Sequence, residues 1–406
     1  MAARRRLSRR DFINGVALSL AAGTSLSPIE LMAKMQEGGK GPYPPSLTGL
    51  RGSHPGSFEV AHAVSWAGAK FPTPEQLTDD RYDLVVVGGG ISGLAAAFLY
   101  RQRSGPDAKI LVLDNHDDFG GHARRNEFDV DGEKLICYGG SQSIDTPGHY
   151  SANAAQMLRD VGIVTERFYD YYDREYFSER NLGRGLWFSE KLYGRNVTAP
   201  DVMRGFGGDA PTNISKIIER YPIPADSRIA FFNLLDSKRD YLAGMSRDDK
   251  IAYLRSTSYT NFLQEKTGTP KEVSDIFRDS IRGLWGVGWD SLSALEAYRS
   301  GMPGTANLDI GDLENEPPGR DEPYIFHFPD GNAGVARALV RSLVPQALPG
   351  STMEDLVLAR ADYALLDNQD SNVRIRLNST AVDVRNTAGG KSTDVTYVRG
   401  GETFRV

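Results

Sequence analysis

Leu84-Val85-Val86-Val87 is a continuous apolar run. A run that short, ending in three β-branched residues, predicts a parallel strand buried on both faces. The pattern then changes. Residues 91–103 predict a helix, and residues 109–113 form a second short apolar run. The predicted order is strand, helix, strand: the βαβ unit of a doubly wound sheet.

Glycines occupy the joint between the first strand and the helix. Gly88, Gly90 and Gly93 fit G-x-G-x-x-G. The first permits a tight turn, the second lets a pyrophosphate approach the backbone, and the third lets the helix pack close to the strand. Ile91 and Ser92 open the helix, where free N–H groups and the positive dipole end face an anion. Asp114 ends the second strand, 21 residues after Gly93, where a carboxylate can accept both ribose hydroxyls. Strand, helix and carboxylate together predict dinucleotide binding; the glycines alone would not. Just beyond stands Phe119-Gly120-Gly121-His122-Ala123-Arg124-Arg125. A second glycine pair lets the chain fold back toward the pyrophosphate, and cationic side chains can pair with its charge. The alternative is a surface turn with solvated arginines.

Residues 36–80 are rich in Pro and Gly without periodicity and predict an extended leader on the domain surface. Residues 81–145 form the nucleotide-binding unit, whose tail reads as a strand from Lys134 entering a turn at Gly139-Gly140. Residues 146–320 are predicted mainly helical. Residues 151–161 are amphipathic, Ser246 with Asp249 approximates a capping box, and Thr269-Pro270 opens another helix. Residues 167–177 (RFYDYYDREYF) are expected to form a helix that packs its aromatics into the core, with a pocket for a cation as the alternative. In Leu284-Trp285-Gly286-Val287-Gly288-Trp289-Asp290, Asp290 is expected to cap a helix over 291–298. Residues 321–406 return to the nucleotide-binding lobe. They predict a strand over 325–332, a helix over 334–343, a strand over 373–385, and a strand pair over 393–406 folded at Gly400-Gly401.

The chain's 406 residues suffice for two or three domains. A net charge of -6 leaves no basic surplus for nucleic acid. The single cysteine, Cys137, excludes an internal disulfide, a cysteine zinc cluster and a C-x-x-C pair. The histidines form no H-E-x-x-H, so no non-haem metal site is legible. Ser8-Arg9-Arg10-Asp11-Phe12-Ile13 matches the twin-arginine export pattern, and the apolar stretch over 15–26 is too short to span a bilayer. Residues 1–35 are read as an export signal, with the export machinery as partner and the periplasm as destination.

The segment after Asp114 resembles the FAD-binding segment of the flavin amine oxidase and phytoene desaturase group. That group usually has Gly-Gly-Arg where this chain has Gly120-Gly121-His122, and Arg124 is the expected substitute at the phosphates. VVVGGGISGLAAA, DNHDDFGGHARRNEF, LWGVGWDSLSALEAYR, and FHFPDGN before a helix together resemble the bacterial spermidine dehydrogenase family, over residues 80–406. The resemblance implies an α/β fold, with a discontinuous Rossmann-like FAD-binding lobe and an inserted, mainly helical substrate lobe. It implies that Gly139 and Gly140 lie near the cofactor and that the backbone of Ala381 meets the adenine. Residue 406 falls inside a predicted strand, and family members continue beyond that point. The chain is therefore expected to be incomplete and, alone, not a competent oxidase. The implied activity is oxidation of an amine, such as a polyamine, by hydride transfer to FAD. The implied partners are the amine and a separate electron acceptor. Haem is a further implied group, with His54, His62, His149 and His327 as candidate axial ligands. The alternatives are a flavin desaturase, a NAD-dependent dehydrogenase of an apolar substrate, and an inactive nucleotide-binding fragment.

Overall fold

A computed structural model describes residues 43–47, 51–54, 56–78, 80–203, 213–311, 313 and 322–406. The export signal over residues 1–35 lies outside them. The chain divides into two compact units. One takes the described residues up to Tyr171 together with Ile325–Val406, and the other is Tyr172–Tyr324.

In the first unit the leader departs from the extended reading. Glu59–Ala67 forms a helix, α1, that ends at Gly68 in the left-handed region. The Pro and Gly content on either side concealed a nine-residue helical window. Val60 of α1 packs on Val398, with Phe71 and Val382 against them. Val60 and Phe71 thus place this described part of the leader against the second half of the unit.

Strand β1 (Leu84–Val87), helix α2 (Ile91–Ser104) and strand β2 (Ile110–Leu113) follow, with β1 and β2 parallel. β2 is buried throughout. β1 is not, contrary to expectation: it forms the sheet edge, and Val87 is 57 % exposed. β3 (Arg125–Val130) and β4 (Glu133–Tyr138) form a hairpin. Asp131 and Gly132 turn it, both with positive φ, as a two-residue hairpin turn requires. Only β4 was anticipated; the Asp-Gly pair was the missed signal. Helix α3 (Ala152–Asp160) follows, with the Ser151 hydroxyl accepting the Ala154 N–H. Beyond it, the helix expected over 167–177 stops at Tyr171. Phe168 is buried, but Tyr169, Tyr171, Tyr176 and Phe177 are exposed. Charged residues alternate with these aromatics, so no helical face there is apolar enough to bury.

The second unit holds a hairpin not anticipated, β5 (Gly185–Phe188) with β6 (Val197–Pro200), followed by helices. The longer ones are α4 (Ala225–Asp236), α5 (Arg247–Ser256), α6 (Lys271–Arg278) and α7 (Ala294–Arg299). They enclose Phe231, Leu254, Phe262, Phe277 and Trp289. Ser246 caps α5, its hydroxyl accepting the Asp249 N–H, and the Asp249 carboxylate accepts from that hydroxyl rather than from the backbone. Asp290 does not cap the next helix. Ser293 does, accepting the Glu296 N–H at 3.2 Å, so α7 begins later than predicted.

The chain re-enters the first unit without the strand expected over 325–332. Those residues are irregular, with Ile325, Phe326 and Phe328 buried. Helix α8 (Ala333–Leu343) then leads to β7 (Val373–Arg376), which pairs parallel with β2. The strand expected over 373–385 breaks at Asn378, whose φ is 52°. It restarts as β8 (Thr380–Asn386) in a second sheet with β9 (Thr393–Arg399) and β10 (Glu402–Arg405). Gly400 and Gly401 turn the β9–β10 hairpin as anticipated, both with positive φ.

The parallel sheet has the order β1-β2-β7. Alternate residues of β2 face opposite sides. Ile110 and Val112 pack with Leu94, Phe98, Val335 and Leu339 of α2 and α8. Leu111 and Leu113 pack with Val395, Tyr397 and Val406 of the antiparallel sheet. The fold is α/β, with a Rossmann-like parallel unit between helices and a second sheet.

Candidate functional site

The β1–α2 turn is shaped by glycines with different duties. Gly88 has φ 107°, which only glycine adopts freely. A Cβ on Gly93 would lie 1.9 Å from the Gly88 carbonyl oxygen, so α2 crosses the turn at backbone contact. Gly90 differs: its φ is -73°, and a Cβ there would find no protein atom nearer than 3.8 Å. Leu94 makes the first bond of the α2 ladder, to the Gly90 carbonyl. The N–H groups of Ile91, Ser92 and Gly93, in the first turn of α2, lie outside its ladder and face its N-terminal end, where Gly90 stands.

The second glycine pair closes onto that space. Gly120 donates its N–H to the Gly89 carbonyl at 2.8 Å and pairs with Gly90 as a parallel bridge. Gly121 sits so close that a Cβ on it would lie 3.1 Å from Gly90 Cα. Behind the loop, Gly139 donates its N–H to the Arg124 carbonyl at 2.8 Å, and Gly140 packs on the His122 carbonyl. Gly88, Gly90, Ile91, Ser92, Gly93, Gly120, Gly121, His122, Arg124, Gly139 and Gly140 thus lie in one continuous run of contacts. Ala381 lies on β8 opposite Tyr397, packed with the Leu111 and Leu113 cluster. It connects to this run through Ser379, whose N–H donates to the Asp114 carbonyl at 2.8 Å.

Asp114 is 6 % exposed. One carboxylate oxygen accepts the Gly89 N–H at 2.7 Å, and the other accepts the His116 N–H at 2.8 Å with the His116 ring at 3.2 Å. Burial alone would raise its pKa. The bonds from His116 and Gly89 outweigh burial and hold the group ionised, below the usual carboxylate range. The carboxylate is thereby fixed beside the glycine turn as an acceptor.

Arg124 is buried rather than extended into solvent, while His122 is exposed. Its nearest carboxylate, Asp118, is 3.8 Å away, beyond hydrogen-bond range. One terminal nitrogen has no hydrogen-bond partner among the described residues. Asp118 is occupied elsewhere: its Oδ1 accepts the Tyr363 hydroxyl at 2.6 Å and the Phe119 N–H at 2.8 Å. A buried guanidinium left without a bonded anion, on a loop folded against a helix N-terminus, suits a diphosphate.

Burial pushes the Asp118 pKa up to about 6, against the opposing pull of Tyr363 and Arg124. A carboxyl raised in the folded state contributes stability that is fully present below its unfolded pKa and lost as pH rises through the folded value. The window is about pH 4 to 6. Across it, wild type should lose roughly 3 kcal/mol relative to Asp118→Asn. Urea denaturation of both proteins at pH 4 and pH 7 measures this, and a constant difference would contradict it.

Asp118 and Tyr363 were not legible as site residues, because 245 residues separate them. The candidate haem ligands are engaged separately. His54 faces Asp117, His62 stacks on Trp66 at 3.8 Å, His149 lies in the turn Pro147–His149, and His327 Nδ1 is 3.0 Å from the Phe328 carbonyl. No group of three or more His, Cys, Asp or Glu among the described residues could hold a metal ion.

No curated protein matches the chain. Residues 86–161 match the model of the NAD(P)-binding Rossmann-like domain, spanning the glycine turn, Asp114, the second glycine pair and Gly139-Gly140. The chain carries a Rossmann-like dinucleotide-binding domain of the kind found in oxidoreductases.

Proposed function

We propose that the chain binds FAD and belongs to an oxidoreductase that oxidises an amine. One observation carries the cofactor reading: the space at Gly90, open to a ligand and faced by the first-turn N–H groups of α2 and the Gly120-Gly121 loop. The residues fit the group. Ile91, Ser92 and Gly93 would hold the diphosphate, with Arg124 as its buried cation and Asp114 as acceptor for the ribose. The matched family description keeps NAD(P) as the competing cofactor. The second glycine loop and Arg124 favour FAD, as the group with Gly-Gly after the acidic residue uses it.

The amine substrate rests on the resemblance carried by FGGHARRNEF and GLWGVGWDSLSALEA. Such oxidation removes a hydride from the carbon bonded to a neutral amine nitrogen and leaves an iminium cation, which water hydrolyses to a carbonyl and a protonated amine. FAD, when bound, supplies the hydride acceptor. The protein's part is to orient the substrate and keep water from the transfer. The test is the absorption spectrum of the oxidoreductase purified from its natural source, followed by anaerobic addition of spermidine. Flavin absorbance that bleaches with spermidine is expected. Flavin that ignores amines would reject the substrate, and NADH binding without flavin would reject the cofactor.

A further inference from the structure

His54 and residues 56–58, upstream of the glycine motif, sit on the loop that follows Asp114. His54 Nε2 lies 3.2 Å from Asp117 Oδ1, an ion-pair contact without hydrogen-bond geometry, and both atoms are closed off from solvent. The Asn115 side-chain amide donates to the Ser57 carbonyl. The His54 and His116 rings have centroids 5.8 Å apart. The segment is itself a tight turn. The Ser57 hydroxyl donates to the His54 carbonyl at 2.7 Å, and Glu59 accepts the Gly56 N–H at 2.8 Å. Ser57 is 3 % exposed.

These contacts bracket one residue. Asn115 and Asp117 are tied to the upstream segment, and His116 between them gives its N–H and ring to Asp114. The Gly89 N–H holds one carboxylate oxygen; the other is aimed by the turn of residues 115–117, which the Asn378 N–H also holds through the His116 carbonyl.

We propose that His54 is a positioning residue for the dinucleotide: by holding Asp117 and flanking His116, it fixes the loop that aims Asp114 at the ribose. The ribose side of the cofactor is then bound by residues from both sides of the β1–α2 motif. This rests on the FAD reading above.

The test is FAD affinity of the full chain, measured by quenching of flavin fluorescence, for wild type, H54A, H54Q, D114N and H54A/D114N. H54A should weaken FAD about fivefold, the scale of one ion-pair contact. H54Q, which keeps a polar side chain against Asp117, should recover part of that loss. In the D114N background, H54A should add little, since its effect passes through Asp114. Full additivity of the two substitutions would overturn the proposal, as would wild-type affinity in H54A. Should H54A not fold, N115A, which removes the bond to Ser57, is read in the same cycle. Gly90→Val separates the two failures. If that variant keeps FAD, the cofactor reading itself fails; if it loses FAD while H54A does not, only the positioning role fails.

Discussion

Gly90→Val is expected to abolish FAD retention while leaving the chain folded. The backbone at Gly90 has φ -73° and ψ 174°, which any L-residue adopts. A Cβ there comes no nearer than 3.8 Å to protein atoms, so the side chain enters only the space assigned to the diphosphate. Affinity should fall at least about a hundredfold, which corresponds to roughly 3 kcal/mol. Gly93→Val should do the opposite. Its Cβ would lie 1.9 Å from the Gly88 carbonyl oxygen and 3.1 Å from a Val86 methyl. Helix and strand would have to part, at a cost on the order of 3 kcal/mol. Thermal melts without added FAD, set beside FAD titrations, distinguish the two variants. Stoichiometric FAD in Gly90→Val would end the cofactor assignment, and an unchanged melt in Gly93→Val would contradict the packing.

The same contrast shows what was legible in the sequence. Gly88 and Gly93 answer contacts within a few residues, so their spacing encodes them. Asp114 is placed by the length of one strand–helix–strand unit, again a local quantity. The break at Asn378 was readable in principle, since asparagine tolerates the left-handed conformation and Ser379 and Thr380 follow. Asp118 with Tyr363 was not, nor was Arg125 with Asp330, 205 residues apart. Those pairs exist only because the chain returns to the first unit through α8 and β7. Periodicity misled where charge was interleaved with aromatics: residues 167–177 have the composition of a core segment but no apolar face.

Arg125→Leu is expected to be among the most destabilising single changes, at about 3–5 kcal/mol, because it strips Asp330 of its hydrogen-bonded cation and leaves Glu127 with only Lys134 and Tyr43. Arg125 is 5 % exposed, Glu127 5 %, Arg337 2 % and Asp330 0 %. Arg125 donates from Nε to Glu127 at 2.8 Å and from a terminal nitrogen to Asp330 at 3.0 Å. Burial raises the Asp330 pKa despite both arginines nearby. Without Arg125, Asp330 keeps only Arg337 at 3.8 Å, which is committed to the Leu356 and Ala359 carbonyls. One Asp330 oxygen already lacks a hydrogen bond among the described residues. Arg125 is also the residue next to Arg124, so its pairing anchors the second glycine loop to the turn before α8. Asp330→Leu should cost a similar amount by leaving Arg125 short of an anion. The double variant should recover part of the summed loss, since it removes both charges of the pair. Chemical denaturation of the three variants and wild type measures this. Simple additivity, or a loss below about 1 kcal/mol for Arg125→Leu, would show that the pair is no more than a screened surface contact.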